Sequence, residues 1–481
     1  MDFFIHYAHL PASYFFPGQS LYLLWNALND PLFGFLQDAG VKGRLSALRT
    51  RYNAVRWGGL AWAVSFLLIW FPPHLSSDSP ALDGTSPIES TSPSLLTAIH
   101  FVVSICAYDA FLTWVEVSHS AILSEITFSD AERAEFNSYS AALAGFGSFS
   151  SFLGQYTWDR SSVGLYSFRL VMTLIAAASA AVFMWSASTL ERASSHQQTK
   201  ATTTTTGRNL SAIIETGVDD DDENKVKRPQ GSRYAPAKLI AKFSRFVRDL
   251  RHHPNFWFFT IVSCIQSFDC AFEKSSFAVM LERLSDDTLG HATRGLIISA
   301  SFFLPWLFTL MLTPQVQQHG VYHVLKLVFA TRLLICFFGF VHSAKSESAA
   351  PFLLLNRVTS ELVCRMSPLV ISDLVDEDRF LNRRTLDDET RAGTLVGSLH
   401  FFTKITSSLG PMMSFTMMKS ALPSPLLRLV FALIPSACVA MQMTIWTLKF
   451  QLKDSYLFKV KDYVLDLAGQ KEARLLEEQQ V

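Results

Sequence analysis

Patterns for metal, redox and nucleic-acid chemistry are missing from this chain of 481 residues. Its six cysteines stand singly in apolar stretches, without the CxxC or Cys/His spacing of zinc and redox motifs, and are interpreted as small core residues. Lys plus Arg and Asp plus Glu balance at 41 each, so no net field recruits DNA, RNA or acidic substrates. A nucleic-acid partner is therefore not expected.

Motifs for catalysis are also missing. No Ser/His/Asp grouping, phosphate-binding glycine loop or cluster of metal ligands stands out, so neither an enzyme nor a bound cofactor is expected. His119 has no second His or Cys at ligand spacing. It is interpreted as a hydrogen-bonded interior histidine rather than as a metal ligand.

Long apolar runs are what the chain has in excess. It is 49% hydrophobic, contains 40 phenylalanines and has a mean hydropathy of +0.23. Runs of roughly 20 apolar residues, enough to cross a bilayer as a helix, recur from end to end. The sequence predicts about eleven membrane-spanning helices, over residues 15–36, 56–73, 96–122, 137–158, 165–187, 255–280, 294–314, 322–342, 350–372, 393–418 and 425–448.

The distribution of Lys and Arg between the loops predicts the orientation. Five basic residues lie within 42–56, whereas the loop 74–95 has none. Because short basic loops stay in the cytosol, alternation of the spans puts the N-terminus outside and the C-terminus in the cytosol. Either the plasma membrane or an endomembrane fits this prediction.

A polar segment over 188–254 divides the predicted spans into two groups. Its composition, with a Thr run, an acidic run and a basic end, predicts a disordered cytosolic linker. The basic end either is solvated or lies on anionic lipid headgroups. The predicted organisation is a truncated N-terminal bundle of about five spans over 1–187, the linker, a C-terminal bundle of about six spans over 255–448, and a cytosolic tail over 449–481.

Polar side chains inside the N-terminal spans are candidates for function, because an ionisable group in a bilayer core costs roughly 2.5–3.5 kcal/mol. Asn26 and Asp30 are four residues apart on one helical face, and Glu116 falls near the middle of the third span. Their oxygens suit a site for a proton or a hard cation. Alternatively, Asn26 and Asp30 form hydrogen bonds with neighbouring helices.

The C-terminal spans carry the countercharges. Asp269 and Glu273 are four residues apart on one span, and a stripe on another span is predicted to pair structurally, within itself and with those two acids. The residues of this stripe are Arg357, Glu361 and Arg365. Lys404 has no acid nearby in its own span, so it is the better functional candidate.

Three ordered motifs resemble one known family. They are Asn29-Asp30-Pro31-Leu32-Phe33-Gly34 with Asp38, then Asp373-Leu374-Val375-Asp376 with Arg391-Ala392-Gly393, and then Phe401-Phe402-Thr403-Lys404 ending at Leu409-Gly410. In this order they resemble the glycoside-pentoside-hexuronide:cation symporters, the melibiose-carrier branch of the major facilitator superfamily. A more specific likeness, over 24–38, 108–125 and 373–384, is to a family of animal orphan carriers within that superfamily.

The resemblance implies roles for individual residues. Asn26, Asp30 and Glu116 match the cation-binding positions of the symporters, and Lys404 matches their coupling lysine. Asp38, Asp373, Asp376 and Arg391 match their cytosolic-loop motifs. Asn26 replaces an acid, which makes protons more plausible than Na⁺, and the first family helix is represented only by the end that residues 3–16 supply.

These inferences together predict an all-α integral membrane protein of the major facilitator type, with two helix bundles around a central cavity. We expect cation-coupled symport, with H⁺ or Na⁺, of a small polar solute such as a sugar. The expected partners are that solute and the lipid bilayer, and the expected state is a monomer. The alternative hypothesis is a non-transporting membrane scaffold or receptor-like protein that retains the carrier fold.

Overall fold

The computed structural model is all-α in the part of the chain that it describes. That part comprises residues 4, 8, 10–38, 51–72, 93–127, 129–157, 162–212, 236–284, 291–342, 348–385, 391–419 and 423–478. The first half contains α1 (Ala12–Asp38), α2 (Arg51–Asn53), a π-helical turn (Ala54–Gly58), α3 (Gly59–Trp70), α4 (Pro93–Ile126), α5 (Asp130–Thr157) and α6 (Ser162–Ala212). The second contains α7 (Pro236–Arg251), α8 (Pro254–Leu284), α9 (His291–His319), α10 (Val321–Val341), α11 (Ala349–Leu381), α12 (Ala392–Lys419), α13 (Ser424–Leu448) and α14 (Asp454–Glu478).

Each predicted span falls on a helix, with α2, the π-helical turn and α3 forming one continuous rod, but α6 extends 25 residues and α11 nine residues beyond the predicted ends. Five described helices are long and apolar enough to cross a membrane by length and composition. Their apolar parts are Leu95–Glu125, Leu165–Thr189, Thr293–His319, Val321–Val341 and Leu426–Leu448. Helices such as α8 and α11 are less apolar because they contain more charged residues. Several of these charged side chains are buried inside the protein.

The segment predicted to be a disordered linker is partly helical, which corrects that prediction. Helix α6 continues to Ala212, and α7 occupies Pro236–Arg251. In α7 the apolar side chains of Phe246 and Leu250 are buried, and Phe243 packs edge-on against Phe35 of α1 with ring centroids 5.2 Å apart. Composition averaged over the whole segment hid this apolar helix face. The acidic run lies outside the described residues.

Helices α1 and α12 approach each other closely enough for backbone contact. A methyl group on Gly34 would collide with the carbonyl of Gly393, and one on Gly397 would collide with the carbonyl of Asp30. Small residues allow such approach in membrane bundles, where dispersion contacts between helices replace the hydrophobic effect. This contact between the two halves places the polar side chains of α1 opposite those of α12.

The close approach predicts that Gly397→Ala destabilises the protein, by about 1–3 kcal/mol in free energy of unfolding, because the added methyl meets backbone rather than a movable side chain. Thermal unfolding of the purified protein in detergent measures the effect. The matched control is Gly147→Ala in α5, where nothing lies within 4 Å of the added methyl. Equal stability of the two variants would contradict the described packing.

Candidate functional site

A buried ion pair joins the two halves of the protein. Lys404 of α12 places its Nζ atom 2.7 Å from Oδ1 of Asp30 on α1. The side chain of Asp30 is only 1% exposed and that of Lys404 is 19% exposed. An interaction between opposite charges at this depth is weakly screened by water.

The pair lies in a larger polar cluster. The Lys404 ammonium also donates to Oγ1 of Thr113 at 3.0 Å and to Oδ1 of Asn29 at 3.4 Å. It lies 3.7 Å from Oδ1 of Asp109, and Asn29 Nδ2 donates to the other oxygen of that carboxylate at 2.5 Å. One ammonium is therefore shared by two carboxylates, both of which belong to the N-terminal half.

Helical spacing explains how α4 and α12 each supply two members of this cluster. Asp109 and Thr113 are one turn apart on α4, and His400 and Lys404 are one turn apart on α12. His400 Nδ1 lies 3.3 Å from Oδ2 of Asp30, so both oxygens of Asp30 face side chains of α12. We call Asn29, Asp30, Asp109, Thr113, His400 and Lys404 the Lys404 cluster.

Two of the residues predicted for this site lie outside these contacts. Asn26 is one turn before Asp30, and its Oδ1 atom is buried without a hydrogen-bond partner in the described structure. The side chain of Glu116 is exposed, and the described contacts do not join it to Asp30. Asp109, two turns earlier on the same face of α4, lies beside Lys404 instead.

The C-terminal acids pair with an arginine that the sequence analysis overlooked. Arg332 of α10 contacts Asp269 and donates to Oε1 of Glu273 at 2.9 Å, and Asn356 of α11 also donates to that oxygen. Arg332 is fully buried. It is the single arginine of an apolar span that contains no acid. The same pattern made Lys404 a functional candidate in the sequence.

The stripe on α11 pairs mainly with itself. Glu361 lies between Arg357, at 3.2 Å, and Arg365, at 3.4 Å. The bridge predicted from this stripe to Asp269 or Glu273 is absent from the described contacts, where Arg332 takes that place. Helix α10 supplies Arg332 directly beside α8, so the direct contacts of Asp269 and Glu273 are with that arginine.

A second set of contacts joins the halves where α1 ends and α12 begins, at what we call the Asp38 end. Asp38 accepts hydrogen bonds from the Thr394 backbone N–H at 2.5 Å and from its hydroxyl at 2.7 Å. A carboxylate here satisfies free N–H groups in the first turn of α12 and complements the helix dipole. Arg51 lies 2.7 Å from Asp38, and Arg391 lies 2.7 Å from Asp249 of α7.

The Asp38 end also carries a buried cluster of opposite charges. Arg133 of α5 lies 2.7 Å from Asp376 and 3.3 Å from Asp373 on α11. Lys461 of α14 contacts the same two carboxylates. Burial raises the pKa of Asp376, but the charges of Arg133 and Lys461 outweigh burial and hold that pKa below its usual value.

The architecture is an all-α, multi-pass membrane fold of the major facilitator type. The sequence profile of a family described as MFS/sugar transport protein matches residues 10–217. A solved proton:xylose symporter, XylE bound to 6-bromo-6-deoxy-D-glucose, aligns with a TM-score of 0.54 at 11% identity, over 94% of this chain and 91% of its own. An outward-facing bacterial homologue of the iron transporter ferroportin also aligns with a TM-score of 0.54, at 13% identity, over 92% and 93%.

The animal relatives are more similar in sequence. Transmembrane protein 180 of Mus musculus is 28% identical over 426 residues, which are 86% of this chain and 74% of the mouse protein. The protein of the same name from Gallus gallus is 27% identical over 430 residues, with the same coverage. The resemblance to the major facilitator superfamily and to the transmembrane protein 180 proteins, predicted from the motifs, is confirmed.

The pairing of Asp376 predicts a loss of stability in Asp376→Asn at neutral pH. Removing one member of a buried ion cluster costs about 3–5 kcal/mol. Because the folded-state pKa lies below the unfolded value, this stabilisation is present above the unfolded pKa and is lost as the pH falls through the folded pKa. The melting temperatures of the wild type and the variant should therefore converge in acid.

Thermal unfolding in detergent across a pH series checks this prediction. Asp462→Asn, which removes an exposed carboxylate of α14, is the matched control and should not change the melting temperature. A stability difference for Asp376→Asn that grows as the pH falls would show that the carboxylate is not held in its charged form.

Proposed function

We propose that this protein is a cation-coupled carrier in which the Asp30–Lys404 ion pair is the coupling element. The observation that carries the proposal is that this pair is buried and joins the two halves. Carriers of this class work by rocking two bundles around a central site. An interaction that crosses the halves must therefore change when they move apart.

The charge balance of the Lys404 cluster suggests how an ion controls that change. Asp30 and Asp109 share one ammonium, and His400 beside Asp30 adds a positive charge only when it is protonated. With His400 neutral, the site has room for one more positive charge. A proton or cation taken up by Asp30 weakens its attraction for Lys404, whose ammonium then has Asp109 as its remaining charged partner. When the halves separate, Lys404 leaves the carboxylate of Asp30 without its partner. Separation therefore becomes less costly only when a proton or cation neutralises that carboxylate.

A proton is our preferred coupling ion. Asn26, one turn before Asp30, has a neutral amide where the symporters have an acid, and Lys404 already occupies the position beside the Asp30 carboxylate. A hard metal cation requires several oxygen ligands, whereas a proton needs a single titratable carboxyl. Glu116 remains a candidate for a second proton-accepting group along the path.

We infer that the Asp38 end faces the cytosol, with the N-terminus outside, since basic residues cluster near 42–56. The contacts of Asp38 with α12 and of Arg133 with Asp376 hold the halves together at that end. This arrangement favours an outward-facing state. A small polar solute fits the polar cluster, and a sugar is suggested by the family description and by the xylose symporter among the structural neighbours.

Uptake by the protein reconstituted in liposomes tests the proposal. Radiolabelled xylose, glucose and melibiose are supplied under separately imposed proton and sodium gradients. Asp30→Asn should abolish gradient-driven accumulation while exchange of the solute continues, because the carboxyl that takes up the ion is lost. Lys404→Ala should reduce accumulation about 100-fold or more, as expected for loss of an interaction worth ~3 kcal/mol.

One control variant and two decisive outcomes complete the test. Lys459→Ala removes an exposed lysine of α14 and should leave accumulation unchanged. Unchanged accumulation in Asp30→Asn would exclude this carboxyl from coupling. Absence of transport for every solute tested in well-folded wild type would favour the scaffold hypothesis.

A further inference from the structure

A cavity of about 840 Å³ lies at the Asp38 end, outside the Lys404 cluster. It is a half-open recess lined by the junction of α9 and α10, the end of α13, the start of α5 and helix α14. The proposed transport function uses none of its open space. Its lining combines several basic side chains with an aromatic wall.

Two lysines in the lining lack acidic partners in the described structure. Lys453 Nζ donates to a neutral group, the carbonyl of Thr447, at 3.1 Å. Lys326, in the second turn of α10, is exposed and forms no ion pair among the described residues. His319 and His323, with ring centroids 5.9 Å apart, add N–H donors to the same wall.

The acids in the lining form no described ion pair with Lys326 or Lys453. Asp130 lies 2.8 Å from Lys461, which also contacts the buried Asp376. The two lining residues Asp130 and Lys461 are therefore already paired. Asp454 is the other acid of the lining. It forms no described ion pair with either lysine, so the ammoniums of Lys326 and Lys453 are available to an anion.

The remaining wall is apolar and lies at the edge of a membrane span. Tyr322 stacks on Trp446 with ring centroids 5.7 Å apart. Phe458 and Leu465, seven residues apart on α14, are 73% and 55% exposed, and Leu327 beside Lys326 is 57% exposed. Exposed apolar side chains next to basic ones are typical of a helix at the interface between lipid and water.

We propose that this cavity binds the phosphate-bearing headgroup of an anionic phospholipid. Lys326 and Lys453 hold the phosphate, the histidines donate to its oxygens, and the acyl chains follow the exposed apolar face of α10 from Leu327. Basic pockets between spans at the cytosolic side suit such headgroups, and the cytosolic leaflet supplies anionic lipid. The position of Lys326 near the start of an apolar span favours a lipid over a soluble phosphate ester.

Lipid binding by the full-length protein in phosphatidylcholine nanodiscs tests the proposal. Phosphatidylinositol 4-phosphate is titrated in, and native mass spectrometry counts the lipid bound. Each lysine near a membrane surface contributes roughly fivefold to affinity, so Lys326→Gln with Lys453→Gln should weaken binding about 25-fold. Asp454→Asn removes the opposing charge and should strengthen binding by a similar single step.

Lys459→Gln is the matched control, because it removes an exposed lysine of α14 that does not line the cavity. This variant should bind the lipid like the wild type. Equal binding by the wild type and the double lysine variant would overturn the proposal. Sodium phosphate and soluble inositol 1,4-bisphosphate are titrated in parallel. If the soluble ester binds as tightly as the lipid, the lipid assignment is wrong. Neither result depends on whether the protein transports a solute.

Discussion

The ammonium of Lys404 lies 2.7 Å from Asp30, a carboxylate on the opposite half of the protein. An unpaired ammonium at this depth is costly in an apolar bundle, so α1, α4 and α12 must be aligned to supply its partners. Asn29, Asp109 and Thr113 all contribute to that alignment. The contact is consequently both a packing constraint and the place where a change of charge acts on the whole fold.

Other buried charges also require partners, but the consequence depends on whether the partner lies in the same half of the protein. Arg332 pairs with Asp269 and Glu273 inside the C-terminal half, so these contacts need not change when the halves move. Arg133 pairs with Asp376 across the halves, as Lys404 does with Asp30. Ion pairs within one half stabilise that bundle, whereas pairs between halves determine the cost of separating the bundles.

Backbone contact between α1 and α12 makes these interhalf charges sensitive to small movements. Gly34 and Gly397 leave no space for a side chain between the helices, so neither helix can slide without breaking close contacts. Asp38, at the end of α1, bonds directly to the first turn of α12. The Lys404 cluster and the Asp38 end therefore lie along the same pair of closely packed helices.

The sequence by itself determined the membrane spans and the identity of the main charged residues. Apolar runs predicted the helices, the absence of an acid near Lys404 in its own span made it a functional candidate, and Glu116 was predicted as a site residue of α4. Only the tertiary structure decided that Asp109 meets Lys404, that Arg332 pairs with the acids of α8, and that α7 packs on α1. The physical reason is that periodicity fixes the face on which a side chain lies, whereas its partner depends on the depth and rotation of each helix relative to its neighbours, which packing between distant segments sets.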